Sequence, residues 1–182
     1  VSIIIALALL SFIIDPQTLE TAFNAMSSRN DVGTINGKTI SYLDFQQDVE
    51  KFTTINEMVT GSSAQNEQQQ EQVRNAAWQS LLDKYLFIKN AKAAGIRVGE
   101  EEMKELLAGD MVSPVISQNP AFTDEDGNFS KDAVQNLVNG ISQDQTGRLK
   151  EYWNYLQNTV YTQQYYAKYG SMFTQGNVLS EH

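Results

Sequence analysis

The chain of 182 residues contains no cysteine, and its only histidine, His182, is the last residue. The absence of cysteine excludes disulfide bonds, zinc sites built on thiolates and thiol catalysis. Without an internal imidazole, no histidine can serve as a general base, a metal ligand or a member of a catalytic triad. The sequence also lacks a glycine-rich phosphate loop and a dinucleotide-binding fingerprint. We therefore expect no catalytic residues, no metal site and no cofactor.

Basic residues are also scarce, since 13 Lys and Arg stand against 22 Asp and Glu, giving a net charge of −9. A nucleic-acid surface requires clustered cations, and none is evident, so we expect no nucleic-acid partner. Lys84, Lys89 and Lys92 share one predicted helix, but Asp83 stands beside them. We interpret this stretch as a solvated helix face.

One long apolar run, Ile3–Ile14, contains no charged residue. It is shorter than the roughly 20 residues that span a bilayer. Three interpretations are open: a truncated transmembrane anchor over residues 1–14, the apolar core of a signal peptide, or a buried helix. We favour the anchor because Asp15 and Pro16 follow directly, where a signal peptide would have small residues. Residues 15–31 then form a linker or a helical extension.

The flank of this run indicates an orientation for the anchor. Asp15 and Glu20 follow the run, and no Lys or Arg occurs before Arg29. Cytoplasmic flanks are enriched in Lys and Arg, so this pattern is typical of the opposite side of a membrane. We expect an anchored domain that faces away from the cytoplasm.

A β-hairpin followed by a helix is predicted at Ile35–Ser41. Asn-Gly favours the positive φ angles of a type I′ turn, so Asn36 and Gly37 should place Ile35 opposite Lys38. Ser41 should then cap a helix by accepting a hydrogen bond from the backbone amide of Asp44.

Helical periodicity dominates the rest of the chain, and predicts one mainly α domain over residues 32–182. Caps and breaks predict helices over Phe45–Met58, Val73–Ala94, Glu100–Leu107, Ser130–Asn139 and Ser142 to about Tyr169, the last ended by Gly170. The connection from Asp110 to Phe129 is predicted to be a long loop.

The segment Asp124–Asn128 in this loop invites a calcium interpretation, because acidic and amide side chains alternate there. An EF-hand also requires Gly at loop position 6 and Glu at position 12, where this chain has Phe129 and Gln135. We therefore interpret the segment as an Asp-Gly turn.

The last predicted helix is rich in aromatic residues, and two interpretations are open. Its core stripe is predicted to comprise Leu149, Trp153, Leu156 and Val160. Six tyrosines lie partly outside that stripe: Tyr152, Tyr155, Tyr161, Tyr165, Tyr166 and Tyr169. They either pack against the predicted helix Val73–Ala94 or form a surface for binding a partner, for which tyrosine is suited by its apolar ring and polar tip.

The order of these motifs resembles the N-terminal region of the PpiD/SurA family of bacterial periplasmic folding factors. The resemblance rests on the apolar run, Val32–Ser41, Ala94–Val98 and Asn119–Phe129. The segment Tyr152–Leu156 is similar to the form found in Bacteroidetes members. Within the family, an N-terminal anchor is typical of PpiD, whereas SurA-like proteins are secreted.

The resemblance implies a helical chaperone module with one short β-hairpin that holds unfolded envelope or outer-membrane proteins without ATP. It implies a position at the bacterial inner membrane, facing the periplasm, and a parvulin-type prolyl isomerase domain elsewhere in the parent protein. Exposed apolar side chains would contact clients, and the candidates are Phe122, Phe129, Tyr161, Tyr165, Tyr169, Met172 and Phe173.

Two further possibilities accompany this expectation. The domain could instead be an anchored scaffold that docks one folded partner, or it could position substrate for the isomerase domain. Ile3–Ile14 could also mediate self-association when it is removed from lipid.

Overall fold

The computed structural model describes residues 31–63 and 66–178. Within these ranges the chain is mainly α-helical with one two-stranded antiparallel sheet, which confirms the predicted fold class. The predicted anchor and nearly all of the predicted linker lie outside the described residues. No helix in the described part of the chain has the length and apolarity needed to cross a membrane.

The described elements follow one another closely along the chain. The strands are β1 (Asp31–Ile35) and β2 (Lys38–Ser41). The helices are α1 (Tyr42–Thr60), α2 (Glu67–Leu82), α3 (Ile88–Ala93), α4 (Glu100–Ala108), α5 (Pro114–Ser117), α6 (Lys131–Gly140) and α7 (Arg148–Val178). A π-helical segment (Asp83–Phe87) lies between α2 and α3, and two 3₁₀ turns occupy Pro120–Phe122 and Ile141–Gln143. Contacts divide the chain into a first compact unit through Phe87 and a second from Ile88.

The hairpin of the first unit forms as the sequence predicts. Asn36 and Gly37 have φ angles of 49° and 79°, and Ile35 pairs with Lys38. The Ser41 hydroxyl accepts a hydrogen bond from the Asp44 amide at 3.1 Å, which begins α1. These agreements follow from backbone preferences that act over a few residues.

A small apolar core holds the hairpin against α1 and α2. Its buried members are Ile35, Ile40, Phe45, Ala77 and Leu81. The ring of Trp78 meets that of Phe45 edge to face, with 6.1 Å between their centroids. Alternation along β2 and helical spacing along α2 thus bring one face of each element together.

The π-helical segment was not predicted from the sequence. It includes Asp83, which is buried and accepts a hydrogen bond from the Gln79 amide at 3.1 Å. The prediction that Asp83 lies on a solvated face is therefore wrong, whereas Lys84, Lys89 and Lys92 are exposed. A π turn places one extra residue in the helix and rotates the following side chains, which periodicity at 3.6 residues does not anticipate.

In the second unit, the predicted long loop between α4 and α6 contains structure. It holds α5, a 3₁₀ turn and an isolated bridge between Thr123 and Phe129. The Asp-Gly turn is confirmed: the Asp124 carboxylate accepts hydrogen bonds from the amides of Asp126 and Asn128 at 3.0 and 2.8 Å. Gly127 has a φ of 82°, which suits such a turn.

Both predicted ends of the last helix are wrong. The helix begins at Arg148 rather than Ser142, because residues 141–143 form a 3₁₀ turn and the Asp144 carboxylate accepts hydrogen bonds from the amides of Thr146 and Leu149. It also continues through Gly170 to Val178. Glycine lowers helix propensity without terminating a helix by itself. The result is a helix of 31 residues.

Candidate functional site

Of the seven predicted client-binding residues, six have side chains that the structure describes, and these six divide into exposed, partly buried and buried. Tyr169 and Met172 are exposed, at 40% and 49% of their full surface, whereas Phe122 and Tyr165 expose 0% and 1%. The expectation that Phe122 and Tyr165 are exposed is therefore wrong. Phe129 and Tyr161 are partly buried, and Phe173 lies in α7.

Phe122 is buried because it anchors the segment before α6 to α7. Its ring meets Trp153 edge to face at 6.5 Å, and its carbonyl accepts a hydrogen bond from the Ser130 amide at 2.8 Å. Nearby, the buried Asn119 amide donates to the Tyr152 hydroxyl at 2.8 Å. These contacts make Phe122 a core residue in this arrangement.

The first half of α7 is a core element. Of the predicted stripe, Leu156 and Val160 are buried, whereas Leu149 and Trp153 are partly buried. Tyr152 and Tyr155 are buried as well. Burial raises the pKa of Tyr155 to about 12. Tyr152 and Tyr155 are therefore core residues, and Tyr152 contacts Asn119 in the connection before α6.

A pair of tyrosines marks the change from core to surface along α7. The rings of Tyr161 and Tyr165 meet at 68° with centroids 4.9 Å apart, and their hydroxyls are 3.4 Å apart. The Lys92 ammonium lies 5.7 Å from the Tyr161 ring centroid and 6.0 Å from that of Tyr165. This contact joins α3 to α7.

The electrostatics of the pair are asymmetric. Partial burial works to raise the pKa of Tyr161, but its hydrogen bond with Tyr165 and the Lys92 ammonium hold that pKa below the usual value. Burial raises the pKa of Tyr165, and the Tyr161 hydrogen bond acts in the same direction. The pKa values of the two hydroxyls therefore depart from the usual tyrosine value in opposite directions.

Three residues after Tyr165, Lys168 forms hydrogen bonds that connect α7 to Arg97 and to the start of α4. Its ammonium donates hydrogen bonds of 2.6 Å to the Arg97 carbonyl and to the Glu102 carboxylate. The Gln164 amide donates to the same carboxylate at 2.6 Å. These bonds join the start of α4 to α7 directly before the helix becomes exposed.

Beyond Lys168, the side chains of Tyr169, Ser171, Met172 and Thr174 are exposed. Tyr161, Tyr169 and Met172 lie at helical spacings of eight and three residues, which places them along one side of α7, and we call them the α7 stripe. The exposed Met172 thioether and Tyr169 ring can adapt to varied apolar groups, whereas Tyr161 is partly buried. The stripe can bind apolar or aromatic side chains without any chemical step.

Other exposed apolar side chains were not predicted as site residues. They are Tyr42, Leu43, Leu86 and Met111. Leu86 lies in the π-helical segment. The described residues contain no group of three or more acidic or histidine side chains that could hold a metal ion.

Comparison with known proteins gives one finding. The model of a protein family described as the SurA-like N-terminal domain matches residues 1–138. No curated protein and no solved structure matches the chain significantly. The matched region ends within α6, so α7 and its stripe lie beyond it.

Proposed function

The chain belongs to the family of SurA-like N-terminal domains, and we propose that it is a non-catalytic module that holds unfolded polypeptide clients. The family match is the observation that carries this proposal. We further propose that the parent protein is a PpiD-like folding factor with a parvulin-type isomerase domain elsewhere. The similarity of Tyr152–Leu156 to Bacteroidetes members supports a source of that kind.

The α7 stripe is the proposed client-binding surface. Tyr169 and Met172 expose apolar area that a client segment would cover, while Tyr161 is partly buried beside them. Burying apolar area contributes about 25 cal/mol per Å², from which the entropy of ordering both partners is subtracted. Such a small surface supports weak and broadly selective binding, which suits a chaperone that must release its clients.

Release in this proposal is passive. The sequence contains no nucleotide-binding motif, so dissociation competes with client folding. The proposed location is the periplasmic face of the bacterial inner membrane, with Ile3–Ile14 as the anchor. Acidic residues outnumber basic ones, which keeps a tethered domain soluble beside a crowded membrane.

The test is peptide binding by the full chain in lipid nanodiscs. A fluorescent peptide from an unfolded outer-membrane protein should bind in the micromolar range, and a scrambled peptide without aromatic residues should bind less. Combining Tyr169→Ala with Met172→Ala should weaken binding of the aromatic peptide by about 1 kcal/mol or more, roughly fivefold. Both side chains are exposed, so their replacement should leave the helix content unchanged.

Met111→Ala is the matched control, because Met111 is equally apolar, exposed at 65% and lies outside α7. It should leave peptide affinity unchanged. Equal losses for the control and the stripe variants would contradict the proposed surface. Absence of binding to either peptide would contradict the chaperone proposal and favour an anchored scaffold that docks one folded partner.

A further inference from the structure

Two exposed cations lie beside the α7 stripe in the second unit. The Lys92 ammonium, from the last turn of α3, lies 5.7 Å from the ring centroid of Tyr161, a member of the stripe. The Arg97 guanidinium donates hydrogen bonds to the carbonyls of Lys92 and of Ile96, the latter at 2.8 Å. Both cationic residues are exposed. We call Lys92 and Arg97 the cation pair.

The guanidinium of Arg97 retains donors on its outer edge. In the residues that the structure describes, both hydrogen bonds of Arg97 come from Nη1. A guanidinium has five N–H donors, so three remain on the edge formed by Nε and Nη2. This edge matches a carboxylate, which accepts two parallel hydrogen bonds from it. Arg97 can therefore bind a carboxylate without giving up its bonds to the backbone.

No carboxylate of the described residues forms an ion pair with the cation pair. On the first turn of α4, Glu102 pairs with Lys168 and Glu101 pairs with Lys104, each at 2.6 Å. The described contacts of the cation pair are instead with tyrosine side chains and backbone carbonyls. In a chain with a net charge of −9, these two positive charges are left without an anionic partner.

The cation pair and the exposed end of the stripe are separated by a distance that one extended peptide can cover. Tyr169 and Met172 follow Tyr161 by eight and eleven residues along α7, which corresponds to about 12 and 16 Å at the rise of a helix. An extended peptide rises about 3.3 Å per residue, so roughly four or five residues span this distance. A carboxylate at the cation pair would leave an aromatic side chain of the same peptide near Tyr169 and Met172.

We propose that the cation pair binds carboxylates of client segments whose aromatic side chains lie on the exposed end of the α7 stripe. The preferred clients are then extended segments in which an acidic and an aromatic residue stand about four or five positions apart. Charge complementarity carries this choice of client, because the cations lie beside the stripe and lack a carboxylate of their own. The inference rests on the proposed client-holding function and names the class of client.

Peptide binding by the full chain in nanodiscs of neutral lipid tests this preference. The probe is a fluorescent, otherwise uncharged peptide with one phenylalanine and an aspartate four residues away on each side, which allows either chain direction. Its twin has asparagine in place of both aspartates. At low salt the aspartate peptide should bind about fivefold more tightly than the twin, which is the largest effect typical of exposed ion pairs. The advantage should shrink in about 0.5 M salt, which screens exposed charges.

Charge removal identifies the residues responsible. Combining Lys92→Gln with Arg97→Gln should bring the affinity ratio of the two peptides close to one. Lys92→Arg retains the charge and should retain the preference. Lys150→Gln is the matched control, because Lys150 is an exposed cation on the first turns of α7, and it should leave the ratio unchanged. Since each variant is judged by a ratio of two peptides, a general loss of affinity does not affect the result.

Placement of the aspartates tests the geometry. A third peptide has both aspartates directly beside the phenylalanine, and it should bind like the asparagine twin. Equal binding of the aspartate peptide and its twin would overturn the inference while leaving the client-holding function in place. A preference that survives the combined Lys92→Gln and Arg97→Gln variant, or one that is as strong for the third peptide, would also overturn it. Absence of binding by every peptide would contradict the client-holding function itself, and the inference with it.

Discussion

At the scale of single residues, the turn residues and the helix caps form the conformations and hydrogen bonds that the sequence predicts. Asn36 and Gly37 adopt the positive φ angles of the predicted turn. Ser41 and Ser130 each cap a helix by accepting a hydrogen bond from the amide three residues on. Each of these effects depends on atoms within one turn of chain, so the local sequence contains all the information needed.

Glu102 provides a residue-scale prediction about pH. Partial burial works to raise its pKa, but hydrogen bonds from Lys168 and Gln164 hold that pKa below the usual value. A lowered folded-state pKa stabilises the fold above the unfolded-state value of about 4.5. This contribution is lost as pH falls through the folded-state pKa. Because both partners are partly exposed, we expect only about 0.5 to 1 kcal/mol.

Urea denaturation of Glu102→Gln and of the unaltered chain, each at pH 7 and pH 3, tests this prediction. The variant should be less stable at pH 7, and the difference should shrink at pH 3. Glu101→Gln is the control, because Glu101 pairs with Lys104 on the exposed surface of α4. A stability difference that is the same at both pH values would show that the charge of Glu102 contributes nothing.

At the scale of elements, α7 shows how helix ends depend on more than composition. Asp144 begins the helix later than the predicted cap at Ser142, because its carboxylate accepts amide hydrogen bonds of the first turn. Gly170 does not end it. One glycine in a helix interior costs about 1 kcal/mol relative to alanine, which is not enough by itself to end a helix.

Gly170→Ala should therefore stabilise the protein by about 0.5 to 1 kcal/mol, because alanine has the higher helix propensity. A Cβ atom at this position would meet no other atom within 4 Å. Gly95→Ala should have the opposite effect, since Gly95 has a φ of 92° after α3. Thermal unfolding followed by circular dichroism measures both changes. A lower melting temperature for Gly170→Ala would indicate that Gly170 does not behave as an interior helix residue.

At the scale of the whole molecule, we expect exposed apolar surface to drive self-association. In buffer without lipid, we expect Ile3–Ile14 to pair with another copy, because exposed runs of this kind seek apolar contacts. Deletion of Val1–Ile14 should then reduce the molar mass measured by light scattering after gel filtration. The hairpin and helices should persist in the shortened chain, as judged by circular dichroism.

Met111→Ser serves as the control for this experiment, since it removes an exposed apolar side chain at a different place. Its mass should match that of the unaltered chain. If the deletion also leaves the mass unchanged, the apolar run is not the source of association. If Tyr169→Ala also leaves the measured molar mass unchanged, the α7 stripe is not the source of association.

The sequence by itself determined the pairing of Ile35 with Lys38, the helix caps at Ser41 and Ser130, the mainly α fold and the family resemblance. These features depend on backbone preferences and on apolar periodicity, both of which are local. It also excluded internal histidine and cysteine chemistry outright, because those residue types are missing. The fold class and the resemblance were therefore predictable without any tertiary contact.

Only the tertiary structure decided which aromatic side chains are core and which are surface. Phe122 and Tyr165 are as aromatic as Tyr169, yet only Tyr169 is exposed. Phe122 packs against Trp153, and Tyr165 packs against Tyr161. Lys168, which hydrogen-bonds to Glu102, lies directly before the exposed Tyr169. Such contacts join residues far apart in the chain, and helical periodicity defines a face of a helix without showing how far its neighbours extend along it.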